Sequence, residues 1–222
     1  MKKLIILGTG GNCIDILDTV NDINENNGHT IYECIGFLDD AQENWGKVHY
    51  GIKVLGPLSS SSNYNECLFV NGIGSSFNFW KKKGIISKAQ LPIERFATIV
   101  HPSASVSNMA KLGHGTVVLQ NVTIASNVNI GNHVIILPNT VISHDDSIGD
   151  YTCITGGVCV SGGVTIGDSC YLGTNSAINS NITIGDFCLV GMGSVVIESI
   201  EENSVVIGNP AKILRKTIEN KA

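Results

Sequence analysis

The chain has 222 residues, of which 43% are hydrophobic, and a formal net charge of -5 at pH 7. This length allows one or two domains with substantial cores, and the acidic balance argues against nucleic acid or a membrane surface as a partner. The apolar run that begins at Leu4 stops at Gly8, too early for a signal peptide, and no segment is long enough to span a membrane.

The seven cysteines indicate a reducing compartment. Their number is odd, they include no C-x-x-C pair, and four of them fall in the C-terminal half of the chain. We therefore interpret them as reduced core residues and predict a cytoplasmic location.

The N-terminal part, residues 1–95, predicts a small parallel α/β domain. Apolar strands are expected at residues 3–7, 32–38 and 68–73, and residues 13–20 have the apolar spacing of a helix. A glycine-rich segment at residues 8–12 joins the first strand to this helix. Such a loop, placed at the carboxyl edge of the sheet, suits a phosphate group, although a plain tight turn would need no ligand.

The C-terminal part, residues 96–222, is an array of hexapeptides. Aliphatic residues recur every six positions without a miss from Val100 to Val196. This period fits neither a helix nor a flat strand, but it is typical of a parallel β-solenoid with short strands and regular corners. Glycines that return every eighteen residues, such as Gly131, Gly149 and Gly167, predict three sides per coil and corners that need either a positive φ or close backbone approach.

One carboxylate interrupts the pattern of inward-facing residues. The fifth position of each hexapeptide is small or apolar throughout the array, except at Asp146. An unpaired buried charge is costly, so we expect Asp146 to have a partner, to be protonated or to mark a departure from the coil. If it turns inward beside His144, its pKa should rise and it would support the imidazole.

Three motifs together resemble one enzyme family. They are FLDD at residues 37–40, SHD at residues 143–145 within the hexapeptides, and VIGNPAK at residues 206–212. In combination with the glycine-rich start, they look like the sugar acetyltransferases of the NeuD and PglD type, and the resemblance covers nearly the whole chain. It implies a Rossmann-like N-terminal domain, a left-handed parallel β-helix with a short C-terminal helix, a homotrimer, and acetyl-CoA bound between neighbouring subunits.

The resemblance assigns catalytic roles to two adjacent residues. His144 falls where the family has its general base, and Asp145 where it has the acid that orients the imidazole. A histidine can accept the proton that an amine loses when it attacks a thioester at neutral pH. A backbone N–H at a corner such as Gly162 is a candidate donor to the oxyanion that forms.

The resemblance also assigns the residues that bind the two substrates. Those expected to contact the nucleotide-linked sugar are Gly10, Gly11, Asn12, Asp39, Asp40 and Gly74. Those expected to contact the CoA are Gly162, Gly173, Thr174, Gly191, Met192 and Lys212, with Arg215 as a further candidate for its phosphates. Cys153 occupies a position where some relatives offer a histidine to CoA, so that contact is expected to be missing.

The predicted function is transfer of an acetyl group from acetyl-CoA to the 4-amino group of a nucleotide-activated amino-deoxy sugar, for surface polysaccharide biosynthesis. O-acetylation of a sialic acid is the alternative. A zinc enzyme of the γ-carbonic anhydrase type would need three convergent histidines, which the spacing of His101, His114, His133 and His144 disfavours, so no metal is expected. A non-catalytic solenoid would have no use for a paired histidine and acid.

Overall fold

The N-terminal domain is built on a twisted, mostly parallel sheet. The computed structural model describes residues 1–218. The helices and strands of this domain are β1 (Lys2–Leu7), α1 (Gly11–Asn27), β2 (Tyr32–Leu38), β3 (Val48–His49), β4 (Ile52–Gly56), β5 (Leu68–Asn71) and α2 (Lys82–Ile86). The strand order is β3-β4-β2-β1-β5, in which only β3 and β4 pair antiparallel. The parallel α/β prediction is confirmed, whereas the β3–β4 hairpin was not foreseen.

Helix α1 is longer than its apolar spacing predicted. Its N-cap is Gly10, in an extended conformation without a side-chain cap, and it ends at Gly28, whose φ of 67° terminates the hydrogen-bond pattern. Ile16 and Val20 lie on the face that packs on the sheet. The unprotected N-terminus leaves backbone N–H groups free at the carboxyl edge of β1.

The C-terminal domain is a left-handed parallel β-helix. Its two-residue strands are β6 (Ile99–Val100), β7 (Ser105–Val106), β8 (Lys111–Leu112), β9 (Val117–Val118), β10 (Thr123–Ile124), β11 (Asn129–Ile130), β12 (Ile135–Ile136), β13 (Val141–Ile142), β14 (Ser147–Ile148), β15 (Cys153–Ile154), β16 (Cys159–Val160), β17 (Thr165–Ile166), β18 (Tyr171–Leu172), β19 (Ala177–Ile178), β20 (Thr183–Ile184), β21 (Leu189–Val190) and β22 (Val195–Val196). Every third strand pairs in parallel, so each coil contributes one strand to each of three faces. The first face contains β6, β9, β12, β15, β18 and β21; the second contains β7, β10, β13, β16, β19 and β22; the third contains β8, β11, β14, β17 and β20.

The aliphatic residue of each hexapeptide lies inside the coil. Those from Val118 to Val196 are nearly all buried and form one continuous core, which confirms the interpretation of the six-residue period. Backbone hydrogen bonds join successive coils on every face, for example from the Gly149 N–H to the carbonyl of Ile166, seventeen residues further on, at 2.7 Å. Because the strands repeat the same pairing in every coil, side chains with individual functions are expected at the corners.

The recurrent glycines serve close packing between coils. A Cβ atom built at Gly149 would lie 2.5 Å from the carbonyl carbon of Gly167 in the next coil. The positive φ angles occur two residues later, as at Tyr151 with a φ of 62° and at Ser169 with 51°. Of the two reasons foreseen for these glycines, the structure therefore supports close backbone approach.

The prediction of a short C-terminal helix is wrong for the described residues. Strand β23 (Ser204–Gly208) extends the first face, and β24 (Ala211–Lys216) folds back on it as an antiparallel partner. The last coil has an edge of unpaired backbone N–H and C=O groups. The hairpin at Asn209–Pro210 returns the chain along this edge, so that the strand forms hydrogen bonds with it that a separate helix would not form. Residues 219–222 lie outside the described part.

The N-terminal domain packs against the first face of the β-helix. The Lys82 side chain is fully buried between them, and its Nζ donates to the His133 carbonyl at 2.6 Å and contacts the Cys153 Sγ at 3.5 Å. Burial lowers the pKa of Lys82. Cys153 is thus a junction residue: a Cβ atom at Gly74 would lie 2.5 Å from its Sγ.

Candidate active site

His144 and Asp145 form a hydrogen-bonded pair at one corner of the β-helix. This corner lies between the second and third faces, and we call it the His144 corner. The imidazole Nδ1 is 2.7 Å from Asp145 Oδ2, and the side chains are 63% and 55% exposed, so a substrate can reach the ring. Asp145 has a φ of 63°, which turns its carboxylate back toward His144. Because the ionised carboxylate can only accept a hydrogen bond, Nδ1 carries the proton and donates it to this bond, which leaves the lone pair of Nε2 available as a base.

Asn127 holds the other side of the Asp145 carboxylate. It occupies the same corner one coil earlier, and its Nδ2 donates to Asp145 Oδ1 at 2.7 Å. The hydrogen bonds from Asn127 and from His144 hold the pKa of Asp145 below its ordinary value. Asn127 was missed from the sequence, although its position eighteen residues before Asp145 could have identified it.

Gly162 lies one coil beyond His144 and forms the surface on which the imidazole rests. A Cβ atom there would lie 2.7 Å from Cε1 and 2.8 Å from Nε2 of His144. The N–H of Gly163 donates to the His144 carbonyl at 3.0 Å, whereas that of Gly162 has no partner within residues 1–218. The corner therefore presents a base and a backbone donor side by side.

Asp146 turns into the coil, as the sequence suggested. Its side chain is fully buried, and its Oδ1 accepts the Val164 N–H at 2.8 Å while Oδ2 has no partner among the described residues. Burial raises its pKa to about 6, against the opposing hydrogen bonds from the backbone of Val164 and Ser143. Its polar contacts are to backbone groups, so a direct contact with the imidazole is not part of this arrangement.

A second site lies in the N-terminal domain. A cavity of about 330 Å³ opens at the carboxyl edge of β1 and β5. Of the residues assigned to the sugar nucleotide, it is lined by Gly10, Gly11, Asn12, Asp39 and Gly74. Asn12 Nδ2 donates to the Gly74 carbonyl at 3.1 Å and so ties the loop after β5 to the start of α1. The structure thus brings five of the six predicted substrate residues together, with Thr9 from the same glycine-rich segment and with Ser75 and Asn78, which the sequence did not indicate.

The two predicted acidic residues already have partners in the protein. Asp39 accepts the Thr9 hydroxyl at 2.6 Å and the Ala41 N–H at 2.8 Å. Asp40 accepts the Leu58 N–H at 3.1 Å and pairs with Lys88 at 2.7 Å. Partial burial works against ionisation of Asp40, but these two donors keep its pKa below the ordinary value.

Asp40 and Lys88 border a neighbouring cavity of about 330 Å³. This cavity shares Gly8, Asp39, Ile73 and Asn78 with the first one, so the two are continuous. Leu58 and Ile85 add further aliphatic side chains to its walls. A flat apolar group with a polar edge therefore fits beside the glycine-rich loop.

The residues assigned to CoA lie on two different corners. Gly162 is at the His144 corner, whereas Gly173, Thr174, Gly191 and Met192 are at the corner between the first and second faces. Gly173 is required by packing, since a Cβ atom there would lie 2.5 Å from the Met192 backbone nitrogen. One copy of the chain does not bring these two groups together.

Lys212 lines a cavity of about 550 Å³ near the end of the β-helix. The cavity includes Ile197 and Glu198, which follow β22 at the His144 corner. Glu198 is three coils beyond His144, or roughly 14 Å at the usual strand spacing. Lys212 and Arg215 lie on strand β24 instead of a helix, and Lys212 is exposed.

His144 and the N-terminal cavity lie on opposite sides of the β-helix. The N-terminal domain covers the first face, through contacts such as Lys82 with His133. In a three-sided coil, the corner between the second and third faces is opposite the first face. His144 therefore lies on the side of the β-helix away from the cavity of its own chain.

Within residues 1–218, no group of three or more His, Cys, Asp or Glu side chains is arranged to hold a metal ion. His101 pairs with Asp22 at 2.7 Å, and His133 is buried at the domain junction, where its pKa falls to about 4 because of burial and the nearby Lys82. None of the helices in this part of the chain has the length and apolar character needed to cross a membrane.

Comparison with known proteins identifies relatives of both domains. The family model of the PglD N-terminal domain matches residues 3–83. The acetyltransferase domain of PglB from Neisseria gonorrhoeae FA1090 is 25% identical, with a TM-score of 0.82 over 96% of this chain and 100% of its own. PerB from Caulobacter crescentus, in complex with CoA and GDP-perosamine, is also 25% identical, with a TM-score of 0.82 over 97% of this chain and 98% of its own.

A third solved structure, WeeI from Acinetobacter baumannii AYE, has the same fold at 22% identity, with a TM-score of 0.80 over 96% of this chain and 100% of its own. The search of curated proteins gives no significant match. The fold and these structural matches define a hexapeptide-repeat acyltransferase that carries an N-terminal α/β domain. These matches confirm the predicted resemblance to the sugar acetyltransferases of the PglD and NeuD type, and they confirm the prediction of an acetyl-CoA-dependent sugar N-acetyltransferase.

Proposed function

We propose that this enzyme transfers the acetyl group of acetyl-CoA to the 4-amino group of a nucleotide-linked amino-deoxy sugar, as a step of surface polysaccharide biosynthesis. The observation that carries the proposal is the His144–Asp145 pair, 2.7 Å apart and exposed beside the backbone of Gly162. PerB, which is 25% identical over nearly the whole chain, is described with CoA and GDP-perosamine, and this supports both substrate classes.

His144 is the general base of the proposed reaction. The lone pair of the neutral amine attacks the thioester carbonyl carbon, and Nε2 of His144 accepts the proton that the nitrogen loses. The C–S bond then breaks, the carbonyl re-forms as an amide, and the CoA sulfur leaves with the proton returned to it. The free N–H of Gly162 is the donor to the oxygen that becomes negative in between.

The His144 corner also suits the length of the acyl donor. The cavity that Lys212 lines begins about three coils from His144, at Glu198, so the roughly 14 Å along the corner would accommodate an extended pantetheine arm that reaches this cavity with its phosphates. Glu198 and Glu201 line the same cavity and weaken the local positive potential. Lys212 is therefore a single anchoring charge, to which Arg215 on the same strand can contribute.

The nucleotide part of the acceptor would bind in the N-terminal cavity. Backbone N–H groups at the start of α1, at Gly11 and Asn12, face this cavity and favour a diphosphate. The adjoining apolar walls and the Asp40–Lys88 pair would hold the base, with a carboxylate as acceptor and an ammonium group as donor. A free sialic acid would leave this cavity without a role.

A complete site requires a second copy of the chain, and we propose the homotrimer. His144 and the cavity lie on opposite sides of one β-helix, so the sugar must come from a neighbouring subunit. From Val141 onward the outward residues of the second face are Val141, Cys159, Ala177 and Val195, whereas the outward residues of the third face are polar or charged throughout. An apolar face next to His144 suits contact between subunits.

All seven cysteines are free thiols, in keeping with the proposed cytoplasmic location.

The test is a panel of UDP-, GDP- and dTDP-linked 4-amino sugars assayed with acetyl-CoA. Release of the CoA thiol and formation of an amide with one member of the panel are expected. The same assay with sialic acid as the acceptor tests the alternative reaction, O-acetylation. Turnover of sialic acid alone, or of no amino sugar, would contradict the proposal.

A further inference from the structure

The His144 corner contains a third side chain that the motif does not include. Asn127 donates from Nδ2 to Asp145 Oδ1 at 2.7 Å, and Asp145 Oδ2 lies 2.7 Å from His144 Nδ1. Each carboxylate oxygen therefore has one side-chain partner. The three groups form a continuous chain of hydrogen bonds that connects two successive coils and ends at the imidazole.

We propose that Asn127 is a positioning residue that sets the orientation and the tautomer of His144 through Asp145. The proposal rests on the proposed function of His144 as the base. A single contact between two exposed side chains is worth little, because solvent competes for it and both side chains lose rotamer freedom. The amide of Asn127 supplies the second contact that stops the carboxylate from rotating, so Nδ1 keeps its proton and Nε2 stays directed outward over Gly162.

The backbone of this corner explains why an asparagine fits there. Asn127 and Asp145 have φ values of 59° and 63°, in the left-handed region that asparagine and aspartate tolerate better than most residues. Equivalent conformations one coil apart stack the two side chains in one column. The donor therefore reaches the carboxylate without any change of the coil.

The adjacent corner provides an internal comparison. Asn121 has a φ of 56°, and its Nδ2 faces Asn139 Oδ1 in the next coil at 3.4 Å. This pair has the same backbone geometry but contacts no histidine. A substitution of Asn121 therefore measures what an asparagine at a corner contributes to the fold. Any further loss of activity on substitution of Asn127 is due to its contact with the Asp145–His144 pair.

The test compares Asn127→Gly with Asn121→Gly, since glycine tolerates the positive φ and removes only the amide. We expect kcat of Asn127→Gly to fall by roughly tenfold to a hundredfold, with KM little changed, because the base is misplaced while substrate contacts remain. Asn121→Gly should retain wild-type kcat. Asn127→Asp, which puts an acceptor where the donor was, should lower kcat at least as far.

A second readout is independent of turnover. Nitrogen NMR of the enzyme without substrates reports which nitrogen of His144 carries the proton, and Asn127→Gly should reduce the share protonated at Nδ1. Unchanged kcat and tautomer in Asn127→Gly, or equal losses of kcat in both glycine variants, would overturn the proposal. If wild-type enzyme acetylates no sugar in the panel, the proposed function fails, while the NMR comparison still decides whether Asn127 orients the ring.

Discussion

The imidazole of His144 lies against the backbone of Gly162, one coil further along the β-helix. A Cβ atom at Gly162 would come within 2.8 Å of Nε2, the atom that accepts the proton in the proposed reaction. The absence of a side chain at this position is therefore what allows the ring to lie this close to the Gly162 backbone. The sequence predicted Gly162 as a backbone donor but not as the support of the base.

Gly162→Ala should displace the imidazole and lower kcat. The φ of Gly162 is not positive, so alanine introduces no backbone strain and the added methyl group acts through its contact with His144. We expect a loss of about a hundredfold in kcat, the effect of a misplacement on the order of 1 Å, and an unchanged melting temperature. The measurement is the rate of CoA thiol release at saturating substrate.

Gly84→Ala is the matched control for this change. Gly84 lies on helix α2, and a Cβ atom there would have no neighbour within 4 Å. Its rate should equal that of the wild type. Equal rates for Gly162→Ala and wild type would show that the ring does not occupy this position during turnover.

Replacement of His144 by alanine should remove the base. General base catalysis by a positioned histidine contributes about 10²–10⁴ in rate, so kcat should fall by that factor while KM for acetyl-CoA changes little. His114→Ala is the control, because His114 is an exposed histidine on another corner of the same β-helix. A His144→Ala enzyme with the turnover of the His114→Ala enzyme would rule out the proposed base.

The period of the sequence allowed the β-helix to be predicted because each hexapeptide repeats the same physical requirement. An aliphatic residue must fill the coil at every sixth position, so Val118 and Ile154 could be placed inside before the structure was known. The same periodicity relates Asn127, Asp145 and Gly162 at one corner. Their contacts follow from the register, whereas the choice of His144 as the base came from the resemblance of its motif.

The features that the sequence did not predict depend on contacts between residues that follow no sequence period. Lys88 pairs with Asp40, which is 48 residues away in the sequence. Lys82 is buried at the junction of the two domains, and no local sequence pattern predicts that junction. The segment Ala211–Lys216 forms a strand because the last coil presents an edge to it. Tertiary context of this kind overrides the local helical preference of alanine, lysine, leucine and arginine.

Asp146→Asn should stabilise the protein at neutral pH. Burial raises the pKa of Asp146 to about 6, above its ordinary 3.8, so the folded state keeps a proton that the unfolded state loses. The free energy of unfolding therefore falls as pH rises from about 4 to about 6, and the cost above pH 6 is up to about 3 kcal/mol. Asparagine keeps the acceptor for the Val164 N–H but carries no charge.

Thermal unfolding between pH 4 and pH 8 measures this effect. The melting temperature of Asp146→Asn should exceed that of the wild type at pH 8, and its change between pH 4 and pH 6 should be smaller. Asp145→Asn is the comparison, because its pKa is lowered and its contribution to stability is lost only at more acidic pH. If the melting temperature of Asp146→Asn changed with pH between pH 4 and pH 6 as much as that of the wild type, the Asp146 carboxylate would not titrate in this range.

Two inactive variants should restore activity when they assemble together. His144→Ala lacks the base, and Gly11→Trp fills the N-terminal cavity, which Gly11 lines and where a Cβ atom at this position would have no neighbour within 4 Å. Because His144 and the cavity of one chain lie on opposite sides of the β-helix, each complete site should combine the histidine of one subunit with the cavity of another. A mixed oligomer then contains sites with an intact histidine and an intact cavity, whereas either variant alone contains none. Co-expressed and co-purified subunits should release CoA thiol with the amino sugar, and a mixture as inactive as its components would mean that both parts of the site come from the same chain.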